Sequence, residues 1–347
     1  DLFSGDNLND PSKYFDVKTY SGTGSSQDIK GLSFEPDFVW IKERSGTRSH
    51  ILFDKTRGVG KSLRSEGNYA ELNDPNSLTA FNSDGFTVGT EDRANESSET
   101  YVGWNWDAGS AAATASTDGD ITPDAQWVNA TAGFSLSKYE ASATTPKTIG
   151  HGLNAVPEFI ILKNIDRAVD WAVYHKGIGN TTILELNENG AKESADAGFW
   201  NNTTPTNTVF TTGNGHGYRT GGIAETFLAL CWTAIPGFSA FGSYIGNGNA
   251  EGPMVNIGFS PEWLMVKDEG NTNSWWIWSP KMDSSNPTIN ALQANAADAQ
   301  YTGTAHGLDI LSNGFKWRGT DNDVNASGDT YIYAAFAEHP FKTARAH

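Results

Sequence analysis

The sequence predicts an all-β fold: three tandem antiparallel β-sandwich-like repeats, or one pseudo-threefold body built from them, with few short helices. Three observations predict it. Apolar residues alternate with period two in many short runs, as in Tyr331, Tyr333 and Ala335 against Ile332, Ala334 and Phe336. Turn-forming Gly, Asn, Asp and Ser separate those runs. And one signature, an acidic residue after Pro, four apolar residues and a Lys, occurs three times. No segment carries a sustained i, i+3, i+4, i+7 stripe.

The signature reads PDFVWIK at Pro36–Lys42, PEFIILK at Pro157–Lys163 and PEWLMVK at Pro261–Lys267. Its uniform apolarity predicts a central strand covered on both faces. The flanks repeat in the same order. A Tyr-containing strand precedes it, at Tyr14–Gly24, Phe134–Ala143 and Phe238–Gly248. A short amphipathic strand follows, HILF (His50–Phe53), WAVY (Trp171–Tyr174) and WWIW (Trp275–Trp278). Next come SDGFTVG (Ser83–Gly89), a degenerate TNTVFTTG (Thr206–Gly213) and SNGFKWRG (Ser312–Gly319). An apolar strand closes each copy, at Thr100–Gly109, Thr226–Trp232 and Thr330–Phe341. The expected organisation is an N-terminal arm 1–13, repeats at 14–109, 133–236 and 237–347, and an Ala/Ser/Thr/Asp-rich linker, Ser110–Ala132. Repeats of about 100 residues are long enough for their own cores.

Composition narrows the function classes. The formal net charge of −17 argues against nucleic acid and against anionic membrane surfaces, both of which need clustered Lys and Arg. No apolar run approaches the about 20 residues of a membrane span. The 12 Trp, 18 Phe and 11 Tyr exclude a disordered chain. Cys231 is the single cysteine and reads as a small core residue.

Candidate chemistry is sparse. GVGKS at Gly58–Ser62 has Lys55 where a phosphate loop needs Gly, so it reads as a turn. Asp321, Asp323, Asn325 and Asp329 form an oxygen-rich loop. Ala326 and Ile332 stand where a helix-loop calcium site wants Gly and Glu, so an Asx-rich turn or a looser Ca2+ site stay open. No other cofactor is implied. Asp37, Glu158 and Glu262 recur in all three copies, which points to architecture, and Lys42, Lys163 and Lys267 read as solvated strand ends. The histidines show no HExxH; His151-Gly-Leu and His306-Gly-Leu read as turns. The aromatic candidates are Trp275, Trp276 and Trp278, of which at least one is expected to reach solvent or an interface, and Trp200 in the loop FWNNTTPTN. Exposed aromatic faces stack on sugar rings; core packing is the competing reading.

The copies resemble a family of uncharacterised repeats in structural proteins of tailed phages, common in marine and cyanobacterial phages. The resemblance rests on DPSKYFDVKTYSGTGSS, GLSFEPDFVWIKERSGTRSHILFD, LTAFNSDGFTVGT and TYVGWNWDAG in the first copy. It continues through TIGHGLNAVPEFIILKN, YIGNGNAEGPMVNIGFSPEWLMVKD and SNGFKWRG, over nearly the whole chain. It implies a non-enzymatic protein on the exterior of the virion, such as a tail fibre or receptor-binding component contacting host surface saccharide. It further implies homo-oligomers, trimers above all, and contacts with other virion proteins. A capsid decoration protein is the alternative, and a polysaccharide depolymerase the second alternative.

Overall fold

The computed structural model describes residue 8 and residues 10–194, 198–213 and 216–337. Residues 338–341 of the last expected strand, and most of the N-terminal arm, lie outside the described residues. The fold is all-β, with antiparallel sheets and two four-residue helices, Asp92–Asn95 and Asn322–Asn325.

Three large sheets share one strand order. In the first it is Phe15–Ser21, Thr100–Trp106, Phe38–Glu43, Ile51–Asp54. In the second it is Phe134–Glu140, Thr226–Trp232, Phe159–Asn164, Ala172–His175, Thr182–Glu185. In the third it is Ser239–Ile245, Thr330–Ala337, Pro261–Asp268, Trp276–Trp278, Ala291–Gln293. The closing strand thus lies between the opening strand and the signature strand, which is buried throughout in all three sheets. The second sheet gains an edge strand, Ala125–Asn129, paired with Phe134–Glu140. This corrects the linker expectation for 125–129, the part of 110–132 that forms a strand: Trp127 packs against the central core and Val128 against a satellite core, which brings it into the sheet.

Alternate residues of each large sheet enter two different cores. Val39 and Ile41 face a satellite core that also holds Phe86 and Val88 of a smaller sheet, Gln27–Lys30, Gly85–Val88 and Leu78–Asn82. Leu264, Val266 and Trp278 do the same against Phe315 and Trp317. Their neighbours along the strands, Phe38, Trp40, Phe159, Ile161, Trp263 and Met265, enter one shared central core. The smaller sheets close on the turns SDGF and SNGF. Gly85 and Gly314 sit there at φ +157° and +159°, where a Cβ would strike the carbonyl oxygens of Ile29 and Val255.

The three inner faces meet at one point. Trp106, Trp232 and Phe336 occupy matching register positions, opposite Phe38, Phe159 and Trp263. Their ring centroids form a triangle with sides of 6.3, 5.6 and 6.4 Å. Such edge-on and tilted aromatic contacts add to the area they bury.

Three matching side chains fasten the sheets outside this triangle. His50, Trp171 and Trp275 each precede the strand beside the signature strand. His50 Nε2 lies 2.9 Å from the Gln293 carbonyl oxygen, Trp171 Nε1 donates to Arg64 O at 3.0 Å, and Trp275 Nε1 donates to Glu185 O at 2.9 Å. The first sheet therefore holds the third, the second holds the first, and the third holds the second.

Candidate functional site

The strand Trp276–Trp278 organises the candidate site. Its residues alternate between cores as a strand requires: Trp275 faces the central core, Trp276 and Trp278 the satellite core. The expectation that one of the three reaches solvent is corrected: Trp275 is 1% exposed, Trp276 4% and Trp278 0%. Two cores flank the strand, so neither face is left open. Trp200 is corrected likewise; it is 1% exposed, stands edge-on to Tyr174, and donates to the Thr182 carbonyl at 3.1 Å.

Trp276 nevertheless forms the inner wall of a cleft of about 660 Å³, with Gln293, Gln300, Tyr301 and His306 around it and Asp298 at its rim. His306 lies between two rings, with centroids 4.2 Å from Trp276 and 4.7 Å from Tyr301. Tyr301 is half-buried and exchanges two backbone hydrogen bonds with Ala291. Gln300 accepts from Arg44 Nε at 2.7 Å and its N–H donates to Arg44 O at 2.7 Å. The first sheet thereby positions one side of a cleft built mainly by the third. The arrangement, an aromatic floor with amide and carboxylate edges, suits a flat polar ligand with one apolar face.

The expected oxygen-rich loop divides. Asp321 caps the helix Asn322–Asn325, its Oδ1 accepting from the Asp323 N–H at 2.9 Å. Asp323 Oδ2 accepts from Trp276 Nε1 at 2.6 Å. Burial works to raise the Asp323 carboxyl, but His306, the Trp276 N–H and Lys267 together outweigh it and hold it below its ordinary value. Both carboxylates turn toward His306, so one ligand atom from each of the three lies within 4.8 Å of the others.

Asn325 and Asp329 are not in that group, which corrects the four-residue Ca2+ loop. Asn325 is fully buried; its Nδ2 donates to Asn249 O and Gly319 O, and its Oδ1 accepts from Asn247 N–H. Asn95 makes the same three bonds, to Ser25 O, Gly89 O and Thr23 N–H, beside the first helix. The role is architectural in both. Asp329 Oδ2 accepts from Asn271 Nδ2.

The recurring charges are structural, and the lysine expectation is corrected. Lys42, Lys163 and Lys267 are not solvated; each is 0% exposed. Lys42 Nζ donates to Glu43 O and Gly46 O, Lys267 Nζ to Asp268 O and Asn271 O. Lys163 Nζ donates to Arg167 O, Val169 O and, in the first unit, Asn68 O. Burial foremost pulls their ammonium groups down, to about 8, about 7 and about 8 in chain order. The acidic partners each meet a lysine beyond the next strand: Asp37 and Lys55 at 2.7 Å, Glu158 and Lys176 at 2.8 Å, Glu262 and Lys281 at 3.5 Å. Cys231 is buried, and burial pushes its thiol well up.

Sequence reasoning read His306 as part of a turn and missed Tyr301, Gln293 and Gln300. They come from one excursion after the strand Trp276–Trp278 and carry no short spacing motif; an imidazole fifteen residues before Asp321 is the one available hint.

A family described as a domain of unknown function, DUF7483, matches residues 10–340. The chain belongs to the DUF7483 family. The match runs through all three large sheets, so the DUF7483 domain comprises the whole closed body and not one of its sheets. No curated protein matches this DUF7483 chain. Among its described residues, no helix is long and apolar enough to cross a membrane.

Proposed function

We propose that this DUF7483 chain is a non-catalytic protein of the phage exterior, a tail-fibre or receptor-binding component, and that it holds host surface saccharide in the Trp276–Tyr301 cleft. The observation that carries the reading is the cleft itself. Aromatic rings form its floor and amide side chains its edges, and Gln300 on its lining is held by Arg44 of the first unit. The resemblance of the repeats to tailed-phage structural proteins supports the virion setting. Binding is favoured over depolymerisation because the carboxylates that recur are each engaged by a lysine. A glycosidase needs two carboxyl groups free to face one bond about 5–9.5 Å apart.

A weak site of this kind gains from multiplicity. Association of chains, trimers above all, would place several clefts on one appendage and raise avidity without new contacts. Capsid decoration is the second reading, and the closed aromatic triangle favours it as a rigid brick for lattice contacts.

Immunogold electron microscopy of intact particles, with antibody against this chain, separates the two. Label on fibres or at the tail tip supports the receptor-binding reading. Label spread over the capsid transfers the protein to decoration, and particles without label sink the virion assignment.

A further inference from the structure

His306 is a buried imidazole without a hydrogen bond. Its side chain is 7% exposed, yet among the described residues neither Nδ1 nor Nε2 has a hydrogen-bond partner. Polar atoms left in that state are rare, because the lost hydration is not returned. Nε2 faces Asp321 Oδ1 at 3.6 Å and Asp323 Oδ2 at 3.7 Å. A direct charge-assisted hydrogen bond would close to about 2.7–2.9 Å. The observed gaps instead approach the about 3.3 Å edge between two ligands of a tetrahedral cation with bonds of about 2.0–2.1 Å.

The surroundings orient the three groups inward. Trp276 Nε1 holds Asp323 Oδ2 at 2.6 Å, the Asp323 N–H holds Asp321 Oδ1 at 2.9 Å, and the Trp276 ring backs the imidazole. Outer contacts of this kind fix the aim of metal ligands. Lys267, which lies near Asp323, spends its ammonium on two backbone carbonyls. Asp321 and Asp323 keep 39% and 23% of their side chains exposed, which leaves the outer side for water. The matching cap of the first helix holds Glu91 and, two residues on, Arg93, which pairs with Glu91 and Asp74. The cluster therefore belongs to the third unit and not to the shared architecture.

We propose that His306, Asp321 and Asp323 bind one divalent d-block cation of the Zn2+ class, with water completing its shell. The imidazole sets the class, since Ca2+ prefers oxygen ligands throughout. The site shares His306 and Trp276 with the saccharide cleft, but metal uptake is read without saccharide, so this inference can fail while that reading stands.

The test is titration of the chelator-treated full chain with Zn2+ by calorimetry and with Co2+ by visible absorption. The expected result is one Zn2+ per chain, competed by Co2+ with the d–d bands of a low-coordinate site. Asp321→Asn should weaken Zn2+ at least tenfold with an unchanged far-UV spectrum, because Asp321 is only half-buried and its cap survives as Asn. Asp329→Asn should leave affinity unchanged. His306→Ala risks the fold, so Asp321→Asn is the deciding variant. Absence of stoichiometric uptake, equal affinity in Asp321→Asn and wild type, or uptake of Ca2+ in preference to Zn2+ each overturns the proposal.

Discussion

Trp275 Nε1 donates to the carbonyl oxygen of Glu185 at 2.9 Å, across the boundary between the third sheet and the second. The matching residues Trp171 and His50 reach Arg64 and Gln293 from the other two sheets. Trp275→Phe keeps one aromatic ring and removes the donor, leaving the Glu185 carbonyl with only the longer bond from Glu188 N–H at 3.3 Å. We expect a loss of about 1–3 kcal/mol in urea unfolding. A Trp275→Phe protein as stable as wild type would show that the contact holds nothing.

Trp276→Ala and Trp200→Ala each empty a large buried volume, and each should cost about 3–5 kcal/mol. Melting curves check this. An unshifted curve for either would contradict its place in the core.

Lys163→Met should destabilise by about 3 kcal/mol or more, because three carbonyls converge on its ammonium and one of them, Asn68 O, lies in another unit. Its folded value, about 7, is below the ordinary 10.5, and burial is the cause. Between those values the unfolded chain binds more protons, so wild type should gain on Lys163→Met as pH rises from about 7 to about 10. A pH-independent difference would refute the assignment.

The buried histidines give the acid side. His50, His151 and His175 each meet a carbonyl through Nε2, of Gln293, Thr206 and Tyr333. Each accepts at Nδ1, from Trp40 Nε1, Leu153 N–H and Gly177 N–H. The neutral Nε2–H tautomer satisfies both partners, and a second proton at Nδ1 would face a donor. Burial foremost, with Lys42 beside His50 and Lys176 beside His175 adding to it, outweighs the carbonyl contacts and lowers them from 6.5 to about 3, about 4 and about 4. A depressed folded value gives stability that is present above pH 6.5 and lost as pH falls toward 4. His175→Gln lacks that loss, so wild type should fall relative to it by about 1.4 kcal/mol per pH unit below 6.5. A constant gap between pH 7 and pH 4.5 would contradict this.

Much of the fold was legible because strands announce themselves locally. Tyr331, Tyr333 and Ala335 do face one core, and Ile332, Ala334 and Phe336 the other. Lys42, Lys163 and Lys267 misled because a charge at the end of an apolar run reads as a solvated end. Their burial depends on carbonyls of the next loop turning back, which no spacing encodes. Trp275 looked like a binding residue because its partner, Glu185, is 90 residues away in sequence. His306 was hidden for the same reason: its neighbours Trp276, Tyr301 and Asp323 converge only through tertiary packing. Asp321 and Asp323 were legible as an oxygen-rich turn, and Asn325 and Asp329 were included on proximity in sequence alone.

The cleft is the centre of the functional account, and Tyr301 is the residue that tests it most directly. The measurement is binding of the purified chain to surface saccharides of candidate hosts, for wild type, Tyr301→Ala and Tyr301→Phe, with melting temperature recorded for each. The account predicts that wild type and Tyr301→Phe bind, that Tyr301→Ala loses at least tenfold in affinity at nearly unchanged melting temperature, and that the saccharide is recovered uncut. Equal binding by Tyr301→Ala, no binding by wild type, or release of shortened saccharide would contradict it.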